Sequence, residues 1–255
     1  VDHMTAALTD RVQRSFSRSF PSYHDAAGPQ AWIAGRLVQE LRRGGAPRRF
    51  ASAFELGCGT GHLTHLLCRD FGFGTLYLND LAPEARLTAQ AAGAAFLLGD
   101  AQQIEWPAML GLVASASMIQ WLQDPAQLLK KAAAALAPGG WLAISGYGPE
   151  QYRELARLGS SARAPGLCRP EHLAAAVDGP LEVVQTGERV RQRYFPTPRQ
   201  VLDHLRKTGV NGQARKTWTK STLARFTAEY ARSFGTGAGV PLTYHPVWII
   251  ARKHG

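Results

Sequence analysis

The chain has 255 residues, long enough for one large α/β domain with an insertion or for two small ones, and its 45% hydrophobic and 19% charged residues are ordinary for a globular protein. No apolar run approaches the roughly 20 residues of a membrane span, and the polar start, with Met4 read as the natural first residue, gives no reason to expect a targeting segment. The formal net charge of +10 fits either an acidic partner or a surface kept soluble by charge.

Residues 1–45 read as an N-terminal helical segment. Ile33, Leu37 and Leu41 recur at helical spacing, and Gly44-Gly45 ends the pattern. From 50 to 147 short apolar runs at 50–56, 75–79, 95–98, 110–116 and 141–147 alternate with helical stretches. In the helix expected at 126–136, Asp124 is the cap, Pro125 the first position and Pro138-Gly139-Gly140 the stop. Such alternation predicts a mostly parallel sheet covered on both faces. Cys58, Cys68 and Cys168 are odd in number and lack ligand spacing, so neither a disulfide framework nor a metal site is expected, and a cytoplasmic location is.

Beyond Tyr147 the rhythm changes. A Gly/Ser/Arg/Pro-rich stretch at 159–170 leads to strands at 181–186 and 189–195. Two helical patterns follow, one from Thr197-Pro198 with Val201, Leu202 and Leu205, the other from Ser221 with Leu223, Phe226 and Tyr230. They form a helical insertion at 196–240, placed as a lid before a final strand at 242–251. Between Thr186 and Lys220 nine basic residues (Arg189, Arg191, Arg193, Arg199, Arg206, Lys207, Arg215, Lys216, Lys220) face only Glu188 and Asp203. That cluster is either a docking face or a solvated one.

The sharpest motif is Glu55-Leu56-Gly57-Cys58-Gly59-Thr60-Gly61, ending the first sheet strand and opening a helix. Dinucleotide enzymes use G-x-G-x-x-G, whose last glycine would fall at His62. Here it falls at Gly61, and an acid precedes the loop. A carboxylate there is awkward beside a pyrophosphate and suits an ammonium, such as that of S-adenosyl-L-methionine. Asp80, with Leu81, ends the second strand where ribose hydroxyls can be held. Gly99-Asp100-Ala101 ends the third, where an adenine amino group can be met. Either aspartate alone is more often a helix cap; all these features in order, at successive strand ends, resemble the class I methyltransferases. The expected fold is therefore an α/β Rossmann-like sheet, mostly parallel with its last strand antiparallel, carrying the helical insertion, over residues 1–255 as a single domain.

The acceptor is narrowed by exclusion. After the fourth strand stands Ser115-Ala116-Ser117-Met118-Ile119-Gln120-Trp121, not the Asn/Asp-Pro-Pro-aromatic motif of nucleic-acid amino-methylases, so nucleic acid is not expected as a partner. No cysteine follows proline, as cytosine C5 chemistry would need. No acid–histidine pair stands ready near the fourth strand to deprotonate an alcohol. A carboxylate needs no base: with a pKa near 4 it is ionised about a thousand to one at pH 7.

Phe16-Ser17-Arg18, Tyr23, Gln30, Ser115, Ile119-Gln120-Trp121, Leu205 to Asn211 and Pro241-Leu242-Thr243-Tyr244-His245 resemble the malonyl-acyl-carrier-protein O-methyltransferases of biotin synthesis. Ala116 and His24 depart from that family's usual Asn and Asp. The resemblance implies methyl transfer from S-adenosyl-L-methionine, leaving S-adenosyl-L-homocysteine, to the free carboxylate of a malonyl thioester on an acidic acyl carrier protein or on coenzyme A, without a metal. It implies that Tyr23, Gln30, Glu55, Gly57, Cys58, Gly59, Gly61, Asp80, Leu81, Asp100, Ala101 and Ser115 hold the cofactor. Gln120, Trp121, Arg169, Arg199, Arg206 and Lys207 are the candidates for substrate or carrier, with Tyr23, Lys207 and Tyr244 as orienting groups. The clamp on the acceptor carboxylate is Lys207 or an arginine between Arg153 and Arg169; His245 is read as packing. Rival readings are a methyltransferase of another small acid, a quinone or a polyketide, and a cofactor-binding protein without transfer.

Overall fold

The computed structural model describes residues 28–160, 163–208 and 219–255, so Tyr23, Arg215 and Lys216 lie outside it. Helix α1 (Gly28–Arg43) lays Ile33, Leu37 and Leu41, all buried, against the sheet and ends on Arg42 and Arg43, cations that suit a helix C-terminus. Strand β1 (Arg49–Leu56) leads through the glycine loop into α2 (His62–Asp70). Then come β2 (Gly72–Asp80), α3 (Arg86–Ala92), β3 (Ala95–Leu98), β4 (Leu110–Ala116), α4 (Pro125–Ala135) and β5 (Leu136–Tyr147).

The sheet has the order β3-β2-β1-β4-β5-β9-β6, with β6 at Leu181–Glu188 and β9 at Pro246–Lys253. Strands β1 to β5 are parallel, and β9 runs antiparallel to both β5 and β6. Alternation along a strand sends neighbours to opposite faces. Ala53 and Leu112 join one core with Ile33, Leu37, Leu63 and Leu67. Phe54 and Val113 join a second core with Leu128 and Leu129 of α4 and with Leu173 and Val177 of α6 (Pro170–Val177). Both faces of β1 and β4 are therefore covered by helices.

Asp124 caps α4 by accepting from the N–H groups of Ala126 and Gln127. The expected stop at Pro138-Gly139-Gly140 lies instead inside β5, which begins at Leu136 because Leu136 already pairs with Leu110. The single strand expected at 242–251 is two. Strand β8 (Val240–Tyr244) leaves the main sheet to pair with β7 (Arg191–Phe195) in a separate ribbon, and the chain turns at His245 before Pro246 starts β9. Residues 242–251 are buried throughout, so periodicity alone does not reveal the break.

Helices α7 (Pro198–Lys207) and α8 (Lys220–Phe234) lie between β7 and β8, capped by Thr197 and by a Thr219/Thr222 capping box. With the ribbon and the short α5 (Arg153–Arg157) they build a third core of Tyr147, Leu155, Val201, Leu205, Tyr230, Leu242 and Tyr244. No helix among the described residues is long and apolar enough to cross a membrane.

Candidate functional site

The loop after β1 is held in one shape by its neighbours. Cys58 N–H donates to Asn79 O (3.0 Å), Gly59 N–H to Asp80 Oδ2 (2.8 Å), and Thr88 Oγ1 to Gly59 O (2.7 Å). Gly57 has φ +66°, and an added Cβ would stand 2.7 Å from Met118 Cγ, so glycine is required twice over. At Gly59 the same construction meets nothing within 4 Å: the loop faces open space there. Thr60 Oγ1 is buried without a partner.

Beneath the loop Glu55 is 2% exposed, and Thr64 Oγ1 donates to its Oε2 at 2.8 Å. Burial, with a smaller contribution from Asp80, pushes its carboxyl up to about 8. Without a cation nearby Glu55 therefore carries a proton at neutral pH. Burial also raises the Asp80 carboxyl against the pull of the Ala82 and Gly59 N–H groups. Leu81 follows, half-buried.

At the end of β3, Asp100 Oδ1 accepts from Gln102 N–H (2.8 Å), turning the chain where Ala101 is buried. That turn is braced from behind: Lys131 Nζ of α4 donates to the carbonyls of Ala101, Gln102 and Ile104 at 2.8–3.1 Å, and Trp106 Nε1 donates to Ala101 O. Asn79 Nδ2 donates to Leu97 O and Gly99 O, tying β2 to the same turn. Ser115, at the end of β4, turns its hydroxyl to Leu56 O (2.8 Å), so it braces the root of the glycine loop.

A cavity of about 620 Å³, its open mouth included, lies beyond the turn after β4, and no residue of the glycine loop is among its described lining. Ser117 stands in its wall while the next residue, Met118, packs under Gly57, which joins cavity and loop. Gln30, Gln120 and Trp121, brought together from α1 and from the turn after β4, line it beside Tyr147, Tyr152 and Arg163. Gln30 Oε1 and Gln120 Oε1 are buried acceptors without partners. Unpaired buried acceptors cost about 1–3 kcal/mol each, and a ligand with N–H donors would satisfy them. The open face at Gly59, the buried acid at Glu55 and these amide oxygens fit S-adenosyl-L-methionine.

The other candidates lie elsewhere. Arg169 is 3.9 Å from Glu188, Arg206 pairs with Asp203 (3.3 Å), and Arg199 and Lys207 are exposed on α7; none of the four lines the cavity. Tyr244 sits behind the cavity wall. Its OH is 2.5 Å from His204 Nε2, and its ring meets that of Tyr152 edge to face at 5.3 Å. His245 is held on every side: Glu150 N–H donates to Nδ1, Nε2 meets Glu188 Oε2 at 2.9 Å, and its own N–H donates to Gln151 Oε1.

Several residues in this arrangement escaped the sequence reading. Thr64, Asn79, Thr88 and Lys131 carry no motif, and their partners are 9 to 30 positions away in the chain. Glu154 is 2% exposed and accepts from both the N–H and the hydroxyl of Thr243. The Thr243-Tyr244-His245 run is thus an anchor, tying the cavity wall at 150–154 to the ribbon.

Residues 54–144 match the family described as a methyltransferase domain. The chain is 32% identical, over 95% of its length and 97% of theirs, to a malonyl-acyl-carrier-protein O-methyltransferase of Bacteroides thetaiotaomicron. It is 34% identical to the enzyme of that name from Bacteroides fragilis, again over 95% of the chain, and spans half that relative's length. In fold it is similar to the N-methyltransferase NodS of Bradyrhizobium japonicum, solved with S-adenosyl-L-homocysteine: TM-score 0.57, 15% identity, 95% of this chain and 98% of that one. With a third of its residues shared across nearly the full length of such relatives, this chain belongs to the malonyl-acyl-carrier-protein O-methyltransferases, a family of class I methyltransferases.

Proposed function

We propose that the protein methylates the free carboxylate of a malonyl thioester, presented by an acidic acyl carrier protein, using S-adenosyl-L-methionine. The observation that carries the reading is the cavity: the Gln120 and Trp121 of the family-like stretch meet Gln30 in one chamber, joined through Ser117-Met118 to the glycine loop. The cofactor supplies an electrophilic sulfonium methyl when bound.

The chain's own groups bind and align. Gly57, Cys58, Gly59 and Gly61 keep the loop open to a ligand, and Glu55 meets the ammonium end of the methionine moiety, with Gln30 over that end; the family resemblance assigns Tyr23, outside the described residues, to the cofactor as well. Asp80 and Leu81 take the ribose, Asp100 and Ala101 the adenine. Ser115 acts by holding the loop to β4. The aromatic wall of Trp121, Tyr147 and Tyr152 excludes water from the acceptor. Burial pushes the Tyr147 phenol up to about 12, so it stays neutral and repels no anion.

The acceptor is already ionised, so no base is needed. Its oxygen lone pair forms the new O–C bond as the S–C bond breaks, leaving a neutral thioether and a neutral ester with no proton moved. Alignment of this kind is worth roughly 7–11 kcal/mol of barrier. The methyl ester masks one end of the malonyl unit, which fits the start of pimeloyl synthesis for biotin in the cytoplasm.

The test is transfer of labelled methyl to malonyl-carrier, malonyl-CoA and free malonate side by side. Label in a base-labile ester on the malonyl thioesters is expected. Label in none of the three overturns the proposal.

A further inference from the structure

The cavity has a charge pattern that singles out one residue. Among the described residues that line it, Arg163 is the one cation, and no aspartate or glutamate faces it. The rest of the wall is amide, hydroxyl, aromatic and aliphatic, so an anion entering there meets a single formal charge. Arg163 Nη2 donates to the Pro149 carbonyl at 2.6 Å, two residues beyond the end of β5. That contact steers the guanidinium to the carboxyl edge of the sheet, where ligands of parallel sheets bind. A guanidinium has five N–H donors in a rigid fork, so Arg163, an exposed residue on the cavity wall, has donors beyond that one carbonyl contact. Burial keeps the Tyr147 and Tyr152 phenols protonated, which makes them neutral companions of an ion pair.

We propose that Arg163 binds the free carboxylate of the acyl acceptor and sets its distance from the glycine loop; this rests on the carboxyl-methylating reading above. The pairing has a sign that helps turnover. The substrate is an anion and pairs with Arg163 through charge-assisted bonds. The product is a neutral ester and loses that pairing at the moment it forms. Arg163 therefore selects substrate over product, and its removal raises KM much more than it lowers kcat.

The experiment compares the unsubstituted protein with Arg163→Gln and Arg163→Lys, using malonyl-CoA and labelled cofactor. R163Q is expected to raise KM about 10- to 100-fold with kcat within about 3-fold, the scale of one lost charge-assisted pair. R163K, which keeps the charge and loses the fork, falls between. Two controls separate binding from folding. Inhibition by the methyl ester of malonyl-CoA, which has no free carboxylate, keeps its Ki in R163Q. Affinity for S-adenosyl-L-homocysteine, by calorimetry, is expected to be unchanged, because Arg163 is assigned to the acceptor; a loss there would move it to the carboxylate of the cofactor and overturn the assignment. An unchanged KM in a turning-over R163Q overturns the assignment of Arg163 alone, as does an equal loss for malonyl-CoA and its methyl ester. No methyl transfer by the unsubstituted protein overturns the functional reading and this assignment with it.

Discussion

Glu55 shows how a single buried acid links ligand binding to pH. Its carboxyl sits at about 8 against an ordinary 4.5, raised first by burial. A cation placed beside it lowers that value again, so binding the ammonium end of the cofactor releases a proton over the pH range between the lowered value and about 8. Affinity for S-adenosyl-L-methionine is therefore expected to weaken as pH falls from 8 toward 6, by up to about tenfold per unit. Calorimetry in two buffers of different ionisation enthalpy should show the released proton, and Glu55→Gln should bind more weakly with less dependence on pH. A proton count of zero that matches the variant's would remove Glu55 from the ammonium site. The ligand-free protein carries the opposite mark of the same group. Because the folded value lies above the unfolded one, the stabilising contribution is complete below 4.5 and is lost between 4.5 and 8. Urea midpoints should fall over that window, and less so in Glu55→Gln. The acid itself was legible from its place before the glycines. Its protonation was not, because desolvation comes from the helices packed over it.

Among the elements, the β7–β8 ribbon and α7 are coupled by one buried pair. His204 of α7 meets Tyr244 of β8, and burial, then the cations Arg193 and Lys207, lower the imidazole to about 4. The buried site favours the neutral imidazole, and a charge there is opposed by burial and by the two cations. Its folded value lies below the ordinary 6.5, so its contribution is full above 6.5 and disappears as pH falls through 4. Amide exchange in α7 is expected to be slow and pH-corrected rates constant above 6.5, then to accelerate toward pH 4. Tyr244→Phe should cost about 1–3 kcal/mol by leaving the histidine nitrogen buried and unpaired, read from urea unfolding at pH 7. If exchange in α7 keeps its protection at pH 4, the pair does not hold the helix. The helices themselves were readable from Val201, Leu205, Phe226 and Tyr230 at helical spacing. The ribbon was not, because an apolar run looks the same whether it pairs with one sheet or two, and only Glu154, Gln151 and Glu188 pulling on residues 243–245 turn it.

At the scale of the whole molecule, the net charge is +10, and several of its cations stand near residues that support the cavity. Arg189 and Arg191 lie over Trp32 of α1, at 5.9 and 4.6 Å from its ring, two positions along the helix from Gln30. Arg199, Arg206 and Lys207 are exposed on α7. A carrier protein with an acidic surface is steered by such a field, and salt screens it over about 10 Å at 0.1 M. KM for malonyl-carrier is therefore expected to rise several-fold between 50 and 300 mM salt (roughly, on the scale of that screening length), with a smaller rise for malonyl-CoA. Reversing Arg206 and Lys207 to Glu, or Arg189 and Arg191, should reproduce the difference at low salt; equal effects on both acceptors would make the face a solvated one. The parallel strands from β1 to β5 and the glycine loop follow from the sequence by itself, because each is a local pattern: alternation of apolar runs, turns at strand ends, glycines where no Cβ fits. What only the tertiary structure decided is which polar side chains share the chamber. Gln30, Ser117, Gln120 and Arg163 come from three places in the chain, and Arg163, exposed like Arg169, Arg199 and Arg206, differs from those arginines only in lining the cavity. Only the packing of α1, the turn after β4 and the segment beyond β5 around one cavity tells an arginine that lines the chamber from one that does not.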